Sequence, residues 1–238
     1  MEENGIRINK YISQCGYCSR READRLISTG KVLVNGIPAE MGVKVSPADE
    51  IIIDGELVIQ KEPEILIALH KPQGIVCTTS KQDSNNVIDY LHFPHRIYPV
   101  GRLDKDSTGL LLLTNNGQLM DDILRGSNYH EKEYVVKVNK PLTDSIIRAM
   151  EQGVPILDTM TRPCQIQRTG ADTFHIILTQ GLNRQIRRMC EYFGYRVITL
   201  KRIRIMNIHL GDLPIGQWRA LIPKEIETLK MLAEHKGD

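Results

Sequence analysis

Tyr98-Pro99-Val100-Gly101-Arg102-Leu103-Asp104-Lys105-Asp106-Ser107-Thr108-Gly109, followed by Leu110-Leu111-Leu112-Leu113-Thr114, is the stretch on which the reading of this chain turns. Two carboxylates, two cations and two glycines fall between Gly101 and Gly109. The leucine run is short and bounded by turn-formers, so it predicts a buried strand. The polar residues ahead of it predict a loop on a rigid support, the usual place for working side chains. The first question is whether Asp104 or Asp106 does chemistry.

The surrounding chain has 238 residues, 41% hydrophobic and 25% charged, as in an ordinary globular protein. No apolar run is long enough to span a bilayer, so no membrane partner is expected. The Met1-Glu2-Glu3-Asn4 start is acidic and polar, unlike a signal peptide. Five cysteines without a disulfide-type spacing favour a reducing cytoplasm. Net charge is only +2, but its distribution is uneven. Arg7, Lys10, Arg20, Arg21, Arg25 and Lys31 stand against Glu22 and Asp24. Arg184, Arg187, Arg188, Arg196, Lys201, Arg202 and Arg204 stand against Glu191. Two basic clusters suit an extended polyanion, although solvated helix faces would look the same.

In the first sixty residues, Ile8, Tyr11, Ile12 and Cys15 recur at helical spacing and stop at Gly16. Ser19-Arg20-Arg21-Glu22 has the form of a capping box, which starts a second helix at Arg20. Val32-Leu33-Val34 runs into Asn35-Gly36, a hairpin signal. Val43-Lys44-Val45 and Ile51-Ile52-Ile53 predict a further strand pair, with Asp54-Gly55 as its outgoing turn. Cys15-Gly16-Tyr17-Cys18 is a CxxC, but a structural zinc needs four ligands and no second CxxC exists, so no metal is expected. Gln60-Lys61-Glu62-Pro63-Glu64, charged and broken by proline, marks a boundary.

Beyond it the expected elements are strands at Ile65–Leu69, Ile75–Cys77, Leu110–Thr114, Tyr134–Val138, Phe174–Leu178 and Arg196–Ile198. Helices are expected at Gln118–Leu124, Asp144–Glu151 and around Arg184. The class is α+β with a mixed, mainly antiparallel sheet. In the last helix Ile186, Met189, Cys190 and Phe193 share one face, so Arg184, Arg187 and Arg188 are expected on the other. There they could bind phosphate or aim one guanidinium at a carboxylate.

The N-terminal pattern, from Arg7-Ile8-Asn9-Lys10 through Ser19-Arg20-Arg21-Glu22-Ala23 to Val34-Asn35-Gly36, resembles the S4 RNA-binding domain. Gly101 to Leu112 resembles the catalytic motif of pseudouridine synthases, Lys132-Glu133-Tyr134 their tyrosine motif and Gly181 to Met189 their arginine motif. Together these resemble the S4-bearing, single-site rRNA pseudouridine synthases, nearest to the branch acting on 23S rRNA. The resemblance implies an RNA-binding domain over 6–60 and a catalytic domain over 65–238. It implies that Asp104 is the catalytic aspartate, Tyr134 stacks on the target uracil and Arg187 pairs with Asp104. Leu200 would line the base pocket, and Arg102 would fill the gap left by the displaced base. Leu103, Lys105, Asn183, Arg184, Gln185 and Arg188 are the further candidates for RNA contact around the site. Arg7, Lys10, Arg20, Arg21 and Arg25 are those for phosphate contact in the first domain.

The implied partner is 23S rRNA or a ribosomal precursor, with tRNA as a possible second RNA and the protein a monomer. Turning a uridine into its C5-linked isomer adds and removes no atoms, so no cofactor or metal is implied. One carboxylate could attack C1′ or take a proton from C2′. Two other classes compete. A non-catalytic RNA clamp would have no use for the acid, and a nuclease using Asp104 and Asp106 to hold magnesium would need further carboxylates. Asp106 itself is expected to bond local backbone in the turn.

Overall fold

The computed structural model describes residues 5–59, 63–80, 82–125 and 129–234. The chain divides into two compact units, residues 1–64 and 65–238. The acidic start at 1–4 and the first three residues of the Gln60–Glu64 boundary lie outside the described residues.

The first unit contains β1 (Ile6–Arg7), α1 (Ile8–Gln14), α2 (Arg20–Ser28), β2 (Val32–Val34), β3 (Ile37–Pro38), β4 (Lys44–Val45), β5 (Ile51–Ile53) and β6 (Glu56–Leu57). Ser19 Oγ accepts the Glu22 N–H at 3.1 Å and starts α2 as the sequence predicts. The Glu22 carboxylate, however, is held by Arg25. Asn9 Nδ2 donates to Asp24 Oδ1 at 2.9 Å and ties the two helices. Asn35 and Gly36 both take positive φ, 51° and 80°, the left-handed geometry that closes the two-residue turn between β2 and β3. One expectation fails. β4 does not pair with β5 but with β1, while β5 joins β2 and β6 in a sheet of order β3-β2-β5-β6. Asp49 takes the Ser46 N–H and the Asn35 amide, turning the chain away between β4 and β5. Ile8, Ile12, Leu26, Ile27, Val32, Ile51 and Ile53 form the core under the helices.

The second unit runs β7 (Leu66–Lys71), α3 (Val87–Leu91), β8 (Tyr98–Val100), β9 (Thr108–Thr114), α4 (Gly117–Leu124), β10 (Lys132–Val138), α5 (Asp144–Glu151), β11 (Pro155–Ile156), β12 (Thr159–Met160), β13 (Gln165–Arg168), β14 (Thr173–Leu178), α6 (Gln185–Tyr192), β15 (Val197–Ile205), β16 (Ile208–His209), β17 (Trp218–Ala220) and α7 (Pro223–Glu234). One sheet has the order β13-β14-β10-β15-β9-β7-β17, with β8 against β9 and β16 against β15. Its pairings are antiparallel except β15 with β9, which run parallel at Lys201–Thr108 and Arg202–Gly109.

The leucine run is apolar throughout because both faces of β9 are covered. Leu110 and Leu112 belong to the core with α4 and α7, whereas Leu111 and Leu113 belong to the core that includes Val87 of α3 and Ile97. Each such leucine contributes roughly 1.5–3 kcal/mol by leaving water. Three expectations are corrected here. Ile75–Cys77 makes only a bridge between Val76 and Asn86 rather than a strand. Tyr98–Val100, read as part of a loop, is a strand on β9. The strand expected at Arg196–Ile198 extends to Ile205 and lies at the centre of the sheet.

One face of β10 is pinned by charge. Arg204 donates Nε to Glu133 Oε2 and Nη2 to Glu131 Oε2, both at 2.9 Å, and His175 Nδ1 lies 3.1 Å from Glu133 Oε1. Burial of Glu133 works against its charge, but hydrogen bonds from Arg204 and His175 outweigh it and hold the carboxyl below its ordinary 4.5. A depressed folded value stabilises the fold above the unfolded value and ceases to as pH falls through the folded one. Glu133→Gln is therefore expected to lose about 1–3 kcal/mol at pH 7. In urea unfolding the difference from the parent should shrink steadily as pH falls below 4.5.

Candidate active site

The turn that carries Asp104 is fixed from three sides. Ser107 N–H donates to Asp104 O at 3.0 Å, and Gly74 N–H donates to Lys105 O at 2.8 Å. Leu103 N–H donates to Cys77 Sγ at 3.3 Å. Behind it Lys71, with no exposed surface, donates Nζ to Pro72 O at 2.8 Å and Ile75 O at 2.9 Å, which sets the Pro72–Ile75 turn. Burial pushes the Lys71 ammonium down from its usual value. A buried lysine bonded to carbonyls is costly to lose, so this turn is a rigid backing for the Asp104 loop.

The Asp104 carboxylate faces two guanidiniums. Arg187 Nε lies 3.5 Å from Asp104 Oδ2 and Arg184 Nη1 lies 3.7 Å from it. Arg187 is buried, and its Nη2 donates to Ser107 Oγ at 3.2 Å and to Asp106 O at 3.4 Å. One arginine thus grips the backbone and hydroxyl of the same turn whose carboxylate it faces. That bonding fixes the fork geometry that makes arginine directional.

The predicted array of three arginines on one helix face is corrected. Arg184 precedes α6 as its N-cap, with left-handed φ 50°, and is exposed. Arg187 points inward to the turn. Arg188 folds back, Nε to Asn183 O at 3.1 Å and Nη2 to Asn183 Oδ1 at 3.4 Å. The periodicity of Ile186, Met189 and Cys190 places the buried face correctly, but a charged residue within that helix can also be buried when a partner waits for it.

A cavity of about 830 Å³ opens beside Asp104. Tyr134 on β10 and Leu200 on β15 wall it, together with Arg102, Leu103, Asn183, Arg184 and Gln185. Tyr134 is half-buried, Leu200 buried, and Arg102 exposed. Other candidates are placed differently from expectation. Gln185 is buried and takes the Leu182 N–H on Oε1 at 3.0 Å, so its amide holds the loop instead of facing solvent. Leu103 is 7% exposed and packs with Leu111 and Ile97, so it is mainly core. Lys105 is exposed on the outer side of the turn, where a second opening is lined by Val76, Asp83, Arg102, Lys105 and Arg184. The Asp106 carboxylate accepts no hydrogen bond among the described residues; its carbonyl is what the site uses.

In the first unit, Arg7 sits on β1, Lys10 on α1, and Arg20, Arg21 and Arg25 on α2. Arg7, Arg20, Arg21 and Arg25 are exposed and Lys10 half-buried. The sequence assigns Lys71 and Arg202 no place in this region, and Lys132 a place in the tyrosine motif but no role there. All three lie on strands, and the assembled sheet buries Lys71 and Arg202 and half-buries Lys132.

With this geometry in hand, comparison with known proteins is direct. Residues 65–192 match the family model described as RNA pseudouridylate synthase, and residues 6–51 match the S4 domain. The dual-specificity RNA pseudouridine synthase RluF of Escherichia coli K12 is 50% identical over all of this chain and 82% of its own length. The ribosomal large subunit pseudouridine synthase B of Bacillus subtilis is 36% identical, covering 96% of this chain and 97% of the relative. A solved pseudouridylate synthase superposes with a TM-score of 0.69 at 30% identity, covering 94% of this chain and 99% of that one. No helix among the described residues is long and apolar enough to cross a membrane. A carboxylate turned toward two arginines beside an aromatic-walled cavity sits in a chain that also carries an S4 domain and belongs to the RNA pseudouridylate synthase family.

Proposed function

We propose that this enzyme converts a specific uridine of 23S rRNA to pseudouridine, with Asp104 acting at the ribose of a uridine flipped out of its stack. The observation that carries the reading is the Asp104 carboxylate, set within 3.7 Å of both Arg184 and Arg187 at the edge of the cavity that Tyr134 walls. A carboxylate so placed can attack C1′ or remove the C2′ proton, and either route frees the uracil with the N1–C1′ electron pair. The ring turns, and C5 bonds to C1′ as the Asp104–C1′ ester breaks in the first route or as C2′ takes its proton back in the second; the C5 proton then leaves, and N1 gains one. Tyr134 offers a flat face that offsets part of the few kcal/mol spent on unstacking the base. Leu200 is proposed to supply apolar wall, and Arg102, exposed at the cavity, to enter the gap left in the RNA.

The S4 unit is proposed to hold the RNA backbone through Arg7, Lys10, Arg20, Arg21 and Arg25, with Lys105, Asn183, Arg184 and Arg188 at the rim of the site. The cavity, the acid and its two arginines all come from one chain, which supports action as a monomer. The proposed setting is the cytoplasm, on 23S rRNA or a ribosomal precursor. A relative named as dual-specificity supports a test for a second RNA substrate, for which tRNA is the proposed candidate.

The decisive experiment is carbodiimide mapping of pseudouridine in total RNA from cells with and without the protein. The expected result is one 23S position that depends on it, and no dependent position in 23S rRNA would overturn the assignment. A second expectation concerns binding. Combining Arg20→Ala with Arg21→Ala should weaken rRNA affinity and reduce the slope of log K against log salt by about two. An unchanged slope in a filter-binding titration would remove those residues from the phosphate contacts.

A further inference from the structure

Two cations on the cavity wall have no place in the assignments above. Lys132 and Tyr134 stand two residues apart on β10, so their side chains leave the same face of the sheet, and both line the cavity. Arg202 lies opposite Tyr134 on β15 and lines it too. Arg202 is 2% exposed, and its visible bonds are to neutral groups: Nε to Leu110 O at 2.7 Å and Nη1 to Arg102 O at 3.4 Å. Its Nη2 is buried with no hydrogen-bond partner among the described residues. Lys132 is half-buried and donates Nζ to His130 O at 3.2 Å.

Among the described residues neither cation has a carboxylate within ion-pair distance. The cross-strand neighbours of Lys132 are apolar, Leu178 on β14 and Ile205 on β15. The charged or titratable groups facing it are Arg202 from β15 and His130 from the segment before β10. Burial, then the Arg202 charge, push the Lys132 ammonium down to about 8. Two adjacent cations without an acid are unfavourable until an anion joins them.

The proposed reaction makes such an anion inside this cavity. As N1–C1′ breaks, its electron pair stays on the uracil and spreads over N1, O2 and O4. That anion must be kept and turned before C5 can bond. We propose that Lys132, backed by Arg202, is a further catalytic residue that hydrogen-bonds a carbonyl oxygen of the detached uracil anion and retains it while the ring turns. The ammonium keeps its proton throughout: the C5 electron pair forms the new bond to C1′ as the Asp104 carboxylate departs or C2′ regains its proton, C5 loses its proton and N1 gains one. Preorganised donors aimed at charge that develops only during reaction act on rate more than on binding. This inference rests on the proposed role of Asp104.

The test is single-turnover conversion of transcribed 23S rRNA, with RNA affinity, for the parent, Lys132→Met and Lys132→Arg. Lys132→Met is expected to lose about 10²–10³-fold in rate with RNA affinity held within about threefold. Lys132→Arg should recover much of the rate. The fall in parent rate above pH 8, as Lys132 loses its proton, should move to higher pH in Lys132→Arg, because a guanidinium stays charged. A structural role would not move that limb. An undiminished rate in Lys132→Met, a loss matched by weaker RNA binding, or an alkaline limb unmoved in Lys132→Arg would each overturn the inference. If Lys132→Met fails to fold, the limb in Lys132→Arg decides alone. A parent that converts no uridine would instead overturn the Asp104 reading.

Discussion

Asp104→Asn is expected to form no pseudouridine while still binding rRNA. The amide has nearly the shape of the carboxylate but lacks the negative charge needed to attack C1′ or accept a proton from C2′. The surroundings should stay in place. Arg187 remains held by Ser107 Oγ and Asp106 O, and the Ser107 N–H still closes the turn on the residue 104 carbonyl. The loss should be roughly 10⁴-fold or more in single-turnover rate, about 5–6 kcal/mol of barrier. RNA affinity should hold or tighten, since a negative charge near the phosphates is gone. Melting should shift little, because the Asp104 side chain is 27% exposed and its ion pairs are longer than hydrogen bonds. Conversion at a rate near that of the parent would remove Asp104 from the chemistry.

Gly109→Ala should be the most damaging small change in the catalytic domain. Gly109 takes φ +110°, which residues with a side chain rarely adopt. An added Cβ would also lie 2.5 Å from Arg202 N and against the Arg202 carbonyl. Those atoms are the backbone of β15 at the register point Arg202–Gly109 and cannot yield without opening the parallel pairing. Strain and clash together should cost about 4 kcal/mol or more. That predicts a drop of roughly 8–16 °C in the melting of the catalytic domain, or insoluble protein. The S4 unit should keep its own transition, so a probe for each unit is needed. A melting temperature equal to that of the parent would show that β9 and β15 can separate there freely.

Much of this site was legible in the sequence. The Asp104 turn stood out because charges and glycines crowd into nine residues ahead of an unbroken leucine run. The run identified β9, since only a strand covered on both faces is apolar throughout. Ser19 and Asn35-Gly36 worked because capping and tight turns are local chemistry. Most of β15, from Thr199 to Ile205, was missed because Lys201, Arg202 and Arg204 read as solvated, although the strand is central. α7 was missed although Pro223 at its first position and Ile226, Leu229 and Ala233 at helical spacing were there to be read. The pairing of β4 with β1 and the burial of Lys71 and Arg202 depend on partners far away in sequence. Local propensity carries no trace of them.

The parallel seam between β9 and β15 also sets a timetable. Gly109 meets Arg202 roughly 90 residues later in the chain. At about 5–20 residues per second, a ribosome would finish β9 some 5–20 s before its partner strand emerges. During that interval β7 can pair along one edge of β9 and β8 with Leu112, Leu113 and Thr114 on the other, but the Thr108–Gly109 end of that second edge stays open until β15 arrives, and for most of the interval Arg187 has not yet been made. The nascent chain would therefore carry an unpaired strand end at Thr108–Gly109 and an aspartate without its arginines. The enzyme would become competent only when its last third closes on the first part of the sheet.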